Sequence, residues 1–276
     1  MTRVRKRIGH VGVFVVCVFT IIAGSVACTK HPTKTQWELV WQDEFDGAVG
    51  QLPDPSRWTF DVGTDWGNGQ LEYDTARPEN VSLDGSGNLA IIAREEPYQS
   101  RNYTSGRINT RNRFDQAGGR FEARMRLPRG RGLWPAFWLL GSNLDTVPWP
   151  GCGEIDIMEF RGQEPSLLHG SLHGPGYSGG NAITNSYSVP GVPLDSTFHL
   201  YAVEWTSSSI AWSIDDHVYF TVVPSQIPSG AWWVFNHPFF VVLDLAVGGS
   251  FVGPPDASTV FPQRLLVDYV RVYRRD

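Results

Sequence analysis

The stretch Trp149-Pro150-Gly151-Cys152-Gly153-Glu154-Ile155-Asp156-Ile157-Met158-Glu159-Phe160 carries three acids separated by bulky apolar side chains. Ile155 and Ile157 alternate with Glu154 and Asp156, the period of a strand, so these two acids share a face. A regular strand would send Glu159, five residues after Glu154, to the opposite face. One extra residue taken up as a β-bulge restores it, and bulges are enriched beside active sites; Met158 is the expected position. Three acids on one strand face repel one another, and Asp and Glu are poor strand formers. A merely solvated face would intersperse Lys, Thr or Ser, and none stands here.

Four strand steps separate the two Glu backbones by roughly 13 Å. Side chains leaning inward bring their carboxyl groups to about 5–5.5 Å, the separation used in retaining glycoside hydrolysis. Asp156 between them can hold a proton or a hydrogen bond and push its neighbours' pKa values apart. One Glu is then an ionised nucleophile and the other a protonated acid. Spacing alone does not order the two.

The elements that must position these acids read as strand after strand. In Arg120 to Leu127, Phe121, Ala123, Met125 and Leu127 alternate with charged residues, a half-buried strand. Further strands are expected over 89–94, 137–140, 154–160, 199–205, 210–215, 217–223, 239–247 and 265–273. Asp84-Gly85, Gly118-Gly119, Asp215-Asp216 and Gly248-Gly249 punctuate them as turns. Long helical periodicity and internal repeats are absent. The pattern implies an all-β sandwich of two sheets without a second domain.

The N-terminus reads as export. Arg3, Arg5, Lys6 and Arg7 precede an apolar run from Val11 to Ala23 and the small residues before Cys28. That order makes residues 1–27 a signal peptide, 28–36 a polar linker and 37–276 the folded domain, secreted from the cell. Ending on Cys28, the leader also resembles that of a bacterial lipoprotein, although Ser25 stands where Leu is usual; a lipid anchor on the outer membrane face is the alternative. With Cys17 in the leader and Cys28 at the cut, Cys152 is alone in the domain, so no disulfide framework exists. Removing the four basic leader residues takes the net charge from −5 to −9. Such a surface argues against nucleic acid as partner and leaves neutral polysaccharide open. Eleven Trp suit binding to sugar rings.

Trp134, Trp138 and Trp149 flank the acid strand, as core or as sugar platforms; Trp205 and Trp212 fall in alternating strands and read as core. His169 and His173, four apart on a strand, share a face. A zinc pair would need Cys152 as third ligand, so metal is set aside. His237, before Pro238, reads as a loop residue. Arg107, Arg111, Arg113 and Arg161 are candidates to line a cleft.

Gly153-Glu154-Ile155-Asp156-Ile157-Met158-Glu159 resembles the active-site signature of glycoside hydrolase family 16, in its laminarinase-like (endo-β-1,3-glucanase) branch. The likeness continues through Trp41 to Gly47, Tyr103 to Ile108, Leu133 to Leu140, His169 to Gly174, Phe239 to Gly249 and Val267 to Val272. It implies a concanavalin-like jelly-roll sandwich of two curved antiparallel sheets, with a substrate cleft on the concave one. It makes Glu154 the nucleophile, Asp156 its helper and Glu159 the general acid/base. Retaining Met158 is similar to the bulged branch, which agarases and carrageenases share. The resemblance places Trp149 at the sugar ring beside the scissile bond, Trp134 and Trp138 as cleft walls, and His173 near Glu159 or the sugar. It implies no catalytic cofactor, but a structural calcium held by Glu44, Asp268 and a carbonyl of Gly87; oxygen ligands suit calcium. The expected activity is endo-hydrolysis of β-1,3-glucan or mixed-linkage β-1,3/1,4-glucan by a monomer. A non-catalytic glucan-binding protein, a transglycosylase and a galactan hydrolase of the same fold are the alternatives.

Overall fold

A computed structural model of the chain describes residues 37–191 and 193–275. The expected signal peptide, Cys28 and the linker lie outside the described residues. In chain order the strands are β1 (Trp37–Asp43), β2 (Thr59–Phe60), β3 (Glu72–Asp74), β4 (Val81–Leu83), β5 (Leu89–Tyr98), β6 (Arg101–Ser105), β7 (Arg107–Asn109), β8 (Gly119–Arg126) and β9 (Leu133–Gly141). They continue with β10 (Glu154–Phe160), β11 (Leu167–His173), β12 (Ile183–Ser188), β13 (His199–Thr206), β14 (Ser209–Ile214), β15 (His217–Val222), β16 (Phe239–Val247) and β17 (Gln263–Arg275). Two short 3₁₀ turns are the helical elements among the described residues.

The strands form two sheets. One runs β12-β11-β10-β9-β16-β7-β2; the other runs β15-β14-β13-β8-β17-β5-β6-β3, with β1 on β17 and β4 on β5. Apart from the parallel pair β3–β6, the pairings are antiparallel. This is the jelly-roll sandwich the sequence implies.

The core lies between the sheets, where alternation is the organising rule. Phe121, Ala123 and Met125 of β8 face Phe137 and Leu139 of β9 and Val241, Leu243 and Leu245 of β16 in one continuous apolar cluster. β16 is buried on both faces. Its second set, Phe240, Val242 and Ala246, is covered by Leu140, Cys152 and Trp138 at one end and by Trp134 and Val252 at the other. Asp244 is the one acid in that run.

Two turns depend on positive φ, the first of them at the entry to the acid strand. Gly153, directly before β10, has φ +78, and a Cβ there would press on Phe239 and Val234 at 2.9 Å. Glycine is therefore required for the chain to enter β10 beneath the loop. The hairpin β14–β15 turns through Asp215 and Asp216, both at positive φ, as a two-residue turn of this twist needs.

Candidate active site

β10 is third of seven in its sheet and paired on both sides. Glu154 and Asp156 lie opposite Leu140 and Trp138 of β9, and opposite His173 and Ser171 of β11. Register then shifts. Against β9, Met158 follows Asp156 with Ile157 left over; against β11, Ile157 and Met158 together face Gly170. The expected bulge thus spans Ile157–Met158 rather than Met158 alone, because both apolar side chains turn into the core. Glu159 re-enters register opposite Ala136 and His169, on the face of Glu154 and Asp156.

Indole N–H groups hold the carboxylates on this face. Trp149 Nε1 donates to Glu154 at 2.9 Å, Trp134 Nε1 to Glu159 at 3.1 Å, and Trp138 Nε1 to Asp244 at 2.7 Å. Glu159 also accepts from Ser171 Oγ at 3.1 Å, and Ser171 Oγ accepts from Thr184 at 3.1 Å, so a hydroxyl chain runs from the acid to β12.

His173 Nε2 lies 2.9 Å from Asp156 Oδ2 and 3.7 Å from Glu154 Oε1. The β10–β11 register sets His173 opposite Glu154, where its direct neighbours are Glu154 and Asp156 and its charge also acts on Glu159. The backbone N–H of Gly179 donates to His173 Nδ1 at 3.1 Å, so the neutral ring carries its proton on Nε2, facing the acids. This tautomer turns an N–H, not a lone pair, toward the acids. Glu154, Asp156 and His173 are close enough to form a ligand set. A metal on Nε2, however, would need a proton on Nδ1, where the Gly179 N–H already points.

Burial, with the adjacent Asp156 charge, pushes Glu154 up to about 8, opposed by His173 and the Trp149 hydrogen bond. Burial and the Glu159 charge push Asp156 well above the carboxylate range. Glu159 is raised by burial, with His173, Ser171 and Trp134 pulling the other way. Asp156 and Glu154 lie against the same His173 nitrogen. A proton on Asp156 removes the repulsion, bringing Glu154 back toward the ordinary range.

Beside this group lies a second acidic group that the sequence did not reveal. Asp244 is pushed up to about 6 by burial, against Arg107 and the Trp138 bond. Burial raises Glu72 to about 7 and Asp74 well above its usual value. Glu72 accepts from the Val247 N–H, and Asp74 from Trp66 Nε1. Arg107 is stacked against the rings of Trp66 and Trp138 at 4.9 and 4.8 Å and paired with Asp61 at 3.0 Å.

The remaining expected site residues divide. Trp149 is exposed beside Glu154, and Trp138 is half-buried on the same face. Trp134 is packed among Ala246, Val252 and Phe251, so the expected cleft wall contributes chiefly its N–H. His169 is buried, bonded to Ser186 and edge-on to Phe251. Arg111 pairs with Asp145, Arg161 with Glu164 and the Phe251 ring, and Arg113 with the Pro55 carbonyl. The calcium set is not assembled from its side chains. Both Glu44 oxygens accept from Arg271, Asp268 accepts from Arg124, and Gly87 lies near the Asp46 carboxylate. A cation held by those two carboxylates would first have to displace two guanidinium groups.

The profile of the family Glycosyl hydrolases family 16 matches residues 63–253. A beta-glucanase of Rhodothermus marinus is 45% identical over 262 residues, covering 91% of this chain and 89% of that protein. A glucan endo-1,3-beta-glucosidase A1 of Niallia circulans is 32% identical over 274 residues; 91% of this chain matches 40% of that longer protein. The X-ray structure of the endo-beta-1,3-glucanase from Pyrococcus furiosus matches with a TM-score of 0.83 and 44% identity, over 88% of this chain and 96% of that one.

Proposed function

Because the chain belongs to the glycosyl hydrolases of family 16, we propose that it is an endo-acting, retaining β-glucanase that hydrolyses β-1,3-glucan of the laminarin type or mixed-linkage β-1,3/1,4-glucan. The observation that carries this reading is the bulged strand β10, which sets Glu154, Asp156 and Glu159 on one face with donors on each outer acid. With Asp156 protonated, the Glu154 carboxylate attacks the anomeric carbon. Glu159 gives its proton to the departing glycosidic oxygen as the carbon–oxygen bond breaks. Water then attacks the glycosyl-enzyme ester, Glu159 takes its proton, and the sugar leaves with the β-configuration. Trp149 and Trp138 offer ring faces for the flanking sugars.

A neutral glucan is favoured over a sulfated galactan by the state of the candidate arginines. Three of the four, Arg107, Arg111 and Arg161, are each paired with an acid, and Arg113 bonds the Pro55 carbonyl. A glucan-binding protein without activity would have no use for three desolvated acids, which are costly to keep.

Incubation with laminarin, lichenan, agarose and κ-carrageenan tests the substrate: the two glucans should be cut and the galactans left intact. Proton NMR during early hydrolysis should show the β-anomer first. Initial α-anomer would defeat the assignment of both glutamates. We further propose export with cleavage before Cys28, supported by the order of basic, apolar and small residues at the start of the chain. Intact mass of the exported protein should lack residues 1–27, and a diacylglycerol mass on Cys28 would mark the lipid-anchored form.

A further inference from the structure

The bulge that returns Glu159 to the catalytic face is braced from the opposite sheet. Trp212 of β14 is fully buried, its ring tilted by 30° against Phe220 with centroids 4.7 Å apart, and its Nε1 donates to the backbone carbonyl of Asp156 at 2.8 Å. Asp156 is the last residue of β10 in register with both neighbours before the shift. In a regular central strand a carbonyl lies in the sheet plane and bonds to the next strand. To meet an indole arriving through the core, the Asp156 carbonyl must tilt inward, which a bulge permits. A second observation comes from β11. Gly170 alone faces the two bulged residues, and a Cβ there would lie 2.7 Å from the Tyr219 hydroxyl, 2.8 Å from Trp212 Cδ1 and 3.1 Å from Trp212 Nε1. Gly170 is the gap through which the donor reaches the strand.

We propose that Trp212, with Gly170 as its clearance, is a positioning residue that fixes the Asp156–Ile157 peptide and so sets where the carboxyls of Asp156 and Glu159 stand. This rests on the reading of β10 as the catalytic strand. Without the donor, a buried carbonyl is left unpaired and the peptide rotates to find a partner, carrying the adjacent side chains with it. Misplacement of this kind lowers turnover rather than ground-state binding.

The test compares Trp212→Phe, Gly170→Ala and Trp58→Phe in the full chain. Trp58 is a buried indole donor to Asp43, remote from β10, so its variant loses a hydrogen bond and stability without touching the bulge. On laminarin, Trp212→Phe and Gly170→Ala should lower kcat about 10- to 100-fold with KM within about twofold. Trp58→Phe should keep kcat within about twofold at a comparable loss of Tm. Carbon-13 titration of the Glu side chains, which needs no activity, should move the Glu159 midpoint by about half a pH unit in the first two variants only. Unchanged kcat and midpoint in Trp212→Phe, or equal losses in Trp58→Phe, would overturn the brace. Loss of the parent reading registers separately, as wild type that leaves laminarin uncut, and the titration still decides on Trp212.

Discussion

Two groups of buried acids, one on β10 and one drawn from β16 two strands away and from β3 of the other sheet, share the chemistry of burial but not of access. All six acids are raised chiefly by desolvation, with neighbouring carboxylates adding to it: Asp156 for Glu154, Glu159 for Asp156, and Asp244 for Glu159, Glu72 and Asp74. The difference is in what surrounds them. Glu72 and Asp74 are 1% and 2% exposed, and Glu72 is tied to the backbone of β16. Glu154 and Glu159 are each partly exposed, and their donors are side chains: Trp149 for one Glu154 oxygen, Trp134 and Ser171 for the two Glu159 oxygens. A raised carboxyl pKa therefore does not distinguish a reactive acid from a structural one here. Access, and the pairing of two acids across a bulge, does.

Removing an outer acid from each group is the strongest way to break this comparison. Glu154→Ala and Glu159→Ala should each lower kcat on glucan by about 10³-fold or more, while Glu72→Gln stays within about threefold. With an aryl glycoside, azide should rescue Glu159→Ala to the β-azide and Glu154→Ala to the inverted product. Equal losses in Glu72→Gln would erase the distinction.

Stability should separate the groups in the opposite sense. Glu72 has a folded pKa of about 7 against 4.5 unfolded. The folded state therefore binds more protons between those values, and stability falls as pH rises through that window. Glu72 alone contributes roughly 3 kcal/mol to this fall, an upper figure for a group so buried. Urea unfolding at pH 4.5 and pH 8 should show a smaller difference for Glu72→Gln than for wild type, and an unchanged difference would discard the raised pKa.

Finer variants sharpen the electrostatics with opposite signs. Ser171→Ala removes a donor that holds the Glu159 pKa down, so the basic limb of the pH–rate profile should move up and kcat fall about tenfold. Ser171→Thr should restore both. Asp244→Asn removes a negative neighbour that raises Glu159, so the same limb should move down by less than about one pH unit, with kcat within about threefold. If both limbs move the same way, the second group does not tune the first.

The sequence by itself determined the strand content, the two-sheet architecture and the acid strand, whose expected range 154–160 matches β10. Alternation carries that information because a strand has two faces and a single apolar core to turn toward. The need for a bulge was also legible, since Glu159 stands one residue out of phase. Only the tertiary structure decided the rest, because those residues act through partners far away in sequence. Trp212 reads as an ordinary core residue until β14 is seen packed beneath Asp156. Asp244 hides in an apolar run, and its proximity to Glu159 exists only because β9 lies between β10 and β16. His173 took its place beside Glu154 from cross-strand register. Glu44 and Asp268 were met by Arg271 and Arg124, pairings that depend on how β17 lies between β1 and β8. Local pattern sets which face a side chain takes, and the pairing of distant strands sets what it meets there.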